Sequence, residues 1–170
     1  MEPPVNPIEN NQAPESPLQE AFRKAQRFFW CNTARDVGPG GSILEQRMHH
    51  RQFAAAWTDA DNDGFHYEEH MERVRGGDLI VMYANLLGII GIGQAKEGRV
   101  SILGLSDPDR MRHYGYAEGH NKEEWRIPVD WLWWDENNPC RIQALLGTFL
   151  EITDHADRIN AIRGHLPGTS

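Results

Sequence analysis

Two cysteines, Cys31 and Cys140, are too few for a disulfide framework or a four-thiolate zinc site. No apolar run approaches the roughly 20 residues that span a bilayer, and the longest, residues 86–92, is broken by glycine. The first residues, Met1-Glu-Pro-Pro4, have neither the basic end nor the apolar stretch of a signal peptide. A cytoplasmic protein without membrane contact is expected. Basic residues are scarce: 17 Lys and Arg face 25 Asp and Glu, for a net charge of −8. That balance excludes a non-specific coater of DNA, whose affinity comes from neutralising phosphates. It leaves room for a protein that reads one nucleotide in a pocket.

Catalytic motifs are missing too. Gly88, Gly91 and Gly93 do not spell a dinucleotide fingerprint, no Gly-Lys-Ser/Thr comes after them, and no G-x-S-x-G occurs. The segment Asp59-Ala-Asp61-Asn-Asp63-Gly64 matches the start of a calcium-binding loop, but His70 stands where that loop needs a bidentate glutamate. His66-Tyr-Glu-Glu69-His70 spells the inverted zinc-protease motif on a stretch too short to hold a catalytic metal, with no third ligand singled out. Neither a metal nor another cofactor is expected, and no enzyme is implied.

The chain does have 170 residues, enough for one domain with an unstapled core. Residues 1–20 carry Pro3, Pro4, Pro7, Pro14 and Pro17, four glutamates and no base, half of the net charge. Such a stretch cannot offset its chain entropy by burial and reads as a disordered tail, leaving residues 21–170 as the domain. Residues 27–32, 78–83, 88–95, 125–134 and 148–152 read as strands from their β-branched and aromatic content. Residues 18–26, 42–57, 67–75, 143–146 and 155–162 read as helical, the second beginning at a Ser42 N-cap with Glu45 three residues on. Residues 98–124 are polar and irregular, with short elements at 100–103 and 108–113.

The short connection between residues 83 and 88 predicts an antiparallel hairpin, with Gly91 and Gly93 where the sheet curves. Alternation places Trp125, Ile127, Val129, Trp131 and Trp133 on one face, and Pro128 points to an edge or a bulge. The class is α+β. Six tryptophans are a surplus. Trp57, at the end of an element, and Tyr114 and Tyr116, in a loop, are placed to stack on a flat base.

The order of these features resembles the EVE and YTH branch of the PUA-like fold. Phe28-Phe-Trp-Cys-Asn-Thr33 precedes Trp57-Thr58. Then come Gly77-Asp-Leu-Ile-Val-Met-Tyr83, Gly88-Ile-Ile-Gly-Ile-Gly93 and Trp125-Arg-Ile-Pro-Val-Asp-Trp131. The resemblance spans roughly residues 27–153. It implies a small curved or barrel-like mixed sheet surrounded by helices, and a pocket for one flipped or modified base in DNA or RNA. It puts Cys31, Asn32 and Thr33 against the base, Trp57 and Thr58 at one wall, and Tyr114, Tyr116 and Trp125 at the others. Where EVE proteins often have Lys-Ser-Glu-Pro after the first strand, this chain has Asn32-Thr-Ala-Arg35. The expected partner is a nucleic acid with a modified base, alone or with a separate effector protein. Arg35, Lys96, Arg99, Arg110 and Arg112 are the bases available to hold its backbone. The alternative is a regulatory module on the same fold that binds a protein or a small molecule.

Overall fold

A computed structural model describes residues 14–33, 46, 48–57, 67–101 and 124–167, with residues 57, 67, 68, 101 and 124 described in backbone only. Helix α1 (Pro17–Lys24) opens the described chain, inside the segment expected as tail. The reason is local. Ser16 and Gln19 close a reciprocal capping box around Pro17, and Leu18, Ala21 and Phe22 make a buried stripe.

Among the described residues seven strands come next: β1 (Phe28–Thr33), β2 (Phe53–Trp57), β3 (Leu79–Ala84), β4 (Gly88–Ala95), β5 (Val100–Ser101), β6 (Glu124–Trp134) and β7 (Phe149–Glu151). Helix α2 (Tyr67–Arg73) lies between β2 and β3, and α3 (Ala156–His165) ends the fold. Six strands form one mixed sheet in the order β2-β6-β4-β3-β1-β7, and β5 adds to β6. Of these described pairs, only β1 and β3 are parallel. The sheet coils into a nearly closed barrel. Across its interior the Cys31 thiol, on β1, donates to the Ala55 carbonyl of β2 at 3.5 Å.

Alternation along the strands divides the core in two. Phe29, Cys31, Ile80, Met82, Ala84, Ile127 and Val129 fill the barrel with Ala54 and Ala56. Phe28, Trp30, Leu79, Val81 and Tyr83 face outward, where α1 and α3 cover them with Leu18, Phe22, Ile159 and Ile162. The expected β3–β4 hairpin is present, joined by a three-residue turn in which Leu86 takes a left-handed φ of 67°.

Three expectations need correction. Residues 42–57 do not make one helix: helical backbone is described at 46 and 48–51, Gln52 turns at φ 57°, and residues 53–57 become β2. Alanine favours helix in isolation, but Phe53 to Trp57 gain a full ladder with Pro128 to Glu124 of β6, and small side chains fit the barrel interior. Trp133 does not share a face with Trp131. Gly93 pairs with Trp131 and Ile92 with Trp133, so Leu132 is an extra residue that reverses the facing of the residues after it, sending Trp133 outward and Trp134 inward. Residues 143–146 are irregular and not helical.

Pro128 sits where β6 changes partner, from β2 at Phe53 to β4 at Ala95, the point where a missing N–H costs least. Residues 108–113 lie outside the described residues.

Candidate functional site at the barrel mouth

Strand direction determines which expected residues can meet. β1, β3 and β6 run one way, and β2 and β4 the other. Thr33 therefore lies at the end where β6 finishes and β2 begins. Trp57 lies toward the opposite end, opposite Glu124 and beside the Ala56–Trp125 pair. The eight expected residues fall into separate groups: Cys31, Asn32 and Thr33 on β1, and Trp57 with Trp125 on neighbouring strands. Thr58, Tyr114 and Tyr116 lie outside the described residues, as do Arg35, Arg110 and Arg112 and the acidic turn 59–64.

The β1 residues differ sharply from one another. Cys31 is fully buried, and burial pushes its thiol up to about 12, partly opposed by its bond to Ala55. It is a packed core residue without thiolate character. Thr33 is buried and donates its hydroxyl to the Tyr83 carbonyl at 3.3 Å. Asn32 faces the other side of the strand, and its Oδ1 is buried without a hydrogen-bond partner among the described residues. A buried unpaired carbonyl oxygen is costly and marks a place where a donor is missing.

At the other end, Arg99 lies 3.8 Å over the Trp125 ring and pairs with Glu72 at 2.5 Å. The Trp125 Nε1 is also buried and unpartnered among the described residues. Just before the start of β2, the side chain of Gln52 accepts from Lys96 at 2.9 Å.

The sheet brings a different aromatic group into register with β1. Cys31 pairs with Met82, Met82 with Gly91, and Gly91 with Trp134, so Trp134 shares a rung with Cys31. Its ring lies over Gly91, where any side chain would collide with it. Trp131 meets it edge-on at 5.0 Å and 70°. The Trp131 indole N–H donates to the Met48 carbonyl at 3.0 Å, tying the short helical segment to the barrel end. Trp134 donates its own N–H to Glu136 at 3.3 Å. On its open face lies His49, with ring centroids 4.4 Å apart and planes within 5°.

This group was hidden in the sequence. Trp131 and Trp134 look like two more strand residues until the Leu132 bulge puts both inside, and nothing in the sequence singles out His49. His70, from the zinc-like motif, instead accepts the Glu151 backbone N–H on Nδ1 at 3.2 Å.

The His49 imidazole is held below its ordinary value, chiefly by burial and then by His50, against an opposing pull from Glu136. Between its folded and unfolded values the unfolded chain binds more protons. The stability it contributes is thus full above the unfolded value and lost as pH falls through the folded one. Acidification from about pH 7 to about pH 5 is expected to lower the melting temperature, with a shallower slope in His49→Gln. Equal slopes in the two proteins would remove His49 as a source of the effect.

No protein-family model matches this chain, and no curated protein matches it.

Proposed function

We propose that this protein is a PUA-like domain of the EVE and YTH kind that binds a modified or flipped base in DNA or RNA, without catalysis. The observation that carries the reading is the aromatic seat at the barrel mouth. Trp134 accepts a flat ring face to face, on the rung that also holds Cys31 of β1. Stacking one base on such a ring returns about 1–3 kcal/mol, and extracting a base from a duplex costs a few, least when it is already unpaired or modified. The one open face of Trp134 offsets most of that cost when the base is already unpaired. Asn32, with its unpaired Oδ1, faces the other side of β1 and so does not select a base on this seat.

The test is a titration with short single strands carrying plain or methylated bases, run on the parent, Trp134→Ala and Trp57→Ala. Loss of one wall should weaken binding by about 1–3 kcal/mol, roughly 5- to 150-fold. Whichever variant shows that loss identifies the end of the barrel that holds the base. If the folded parent binds no strand, the reading fails. Its competitor is a regulatory module on the same fold that binds a protein or a small molecule.

A further inference from the structure

We propose that His49 is a built-in stand-in for the ligand: its imidazole occupies the seat on Trp134 that a planar heterocycle, a purine or pyrimidine base, takes over on binding. This inference rests on the base-binding reading and adds a position and a direction of effect.

Among the described residues, three fixed groups engage the Trp134 indole. The backbone of β4 backs it at Gly91, the edge-on Trp131 borders it, and Glu136 holds its N–H. The remaining face carries His49, stacked nearly parallel. Among the described residues no hydrogen bond ties the His49 ring nitrogens, so the ring is held by stacking, by its contact with the His50 ring at 5.6 Å and by the pull of Glu136.

The neighbouring residue has the opposite character. Met48 is fully buried, and its carbonyl accepts the Trp131 N–H. The backbone is therefore pinned while the side chain beside it turns without breaking a described hydrogen bond. Clearing the seat then asks only for rotation about the His49 side-chain bonds, with the Met48–Trp131 tie left in place.

Size supplies the driving force. A five-membered imidazole covers part of an indole face, and a base covers more of it, so the exchange favours the ligand. Until then the imidazole shields an aromatic surface that would otherwise be open to water.

The consequence is a gain of affinity on truncation. His49→Ala is expected to bind short single strands roughly 2- to 12-fold more tightly than the parent, the equivalent of one lost aromatic pair. His49→Phe, with a larger and more apolar ring on the seat, should bind more weakly. In a Trp134→Leu background His49→Ala should change nothing, because the seat is gone.

The probes are labelled single strands with one plain or methylated base, read by fluorescence anisotropy, with melting curves to show that each variant is folded. If folded His49→Ala binds as the parent does or more weakly, the stand-in role is overturned and base binding survives. If neither the parent nor His49→Ala binds any strand, both fall together.

Discussion

Gly93→Ala should be among the most damaging single substitutions in the barrel, destabilising it by about 1–3 kcal/mol. A Cβ there would overlap a methyl group of Val129 and lie 2.8 Å from both the Asp130 carbonyl oxygen and the Trp131 ring. The carbonyl decides the outcome. It belongs to the backbone of β6, bound to β4 through the Gly93–Trp131 and Gln94–Asp130 pairs, and cannot retreat without loosening that ladder. For a chain of this size the loss lowers the melting temperature by roughly 2–4 °C per kcal/mol.

Gly91→Ala offers a comparison, because its Cβ would meet the Trp134 ring and no backbone atom at close range. A side chain can turn away, so the cost in stability should be smaller and the disturbance at the mouth larger. Gly164, in α3, has open space at its Cβ position. Gly164→Ala should be neutral or stabilising by up to about 1 kcal/mol. Thermal and urea unfolding of the three variants checks the order. Gly93→Ala melting with the parent would refute the close-packing account of the β4–β6 pair.

Asp78→Ala is expected to cost a similar or larger amount, about 2–4 kcal/mol. Asp78 is a buried acid just before β3, and it works from both oxygens. Oδ2 accepts the Arg75 backbone N–H at 2.8 Å and lies 3.1 Å from an Arg27 guanidinium nitrogen, and Oδ1 accepts a second Arg27 N–H at 3.4 Å. Its backbone carbonyl accepts the Ala95 N–H at 2.8 Å. The residue thus joins the start of β3 to the end of β4 and to the residue before β1.

Alanine would leave the Arg75 N–H unpaired and a partly buried guanidinium without its counter-charge. Asp78→Asn keeps an acceptor for Arg75 and should lose roughly half as much. Arg27→Met leaves the carboxylate buried without its cation and should approach the alanine cost. A double-mutant cycle on Arg27 and Asp78 measures the coupling. A cycle that closes at zero, with Asp78→Ala near the parent, would mean the pair contributes nothing.

Gly77 and Asp78 also explain part of the motif that carried the resemblance. Their step is structural in this chain: Gly77 takes a φ of 94°, which glycine adopts without strain, and Asp78 ties three segments together. Gly91 and Gly93 make room for the Trp134 and Trp131 rings. The glycine pattern therefore reports a barrel packed with aromatics, and the ligand has to be argued from the mouth.

Sequence by itself determined the elements whose signal is local. The β3–β4 hairpin follows from two β-branched runs and a short connection, and β6 from alternation up to Trp131. Period 2 also places Cys31 and Asn32 on opposite faces of β1, so a pocket using both side chains was already disfavoured by the sequence. Tertiary structure alone decided everything that needs a distant partner. β2 is a strand because β6, more than sixty residues on, offers it a ladder that outweighs alanine's helical preference. The Leu132 bulge exists only in register with β4, and that one extra residue turns Trp134 toward the barrel interior. The aromatic mouth is a product of pairing and shift, which no window of the sequence contains, and so Trp134 and His49 emerge only when the sheet coils.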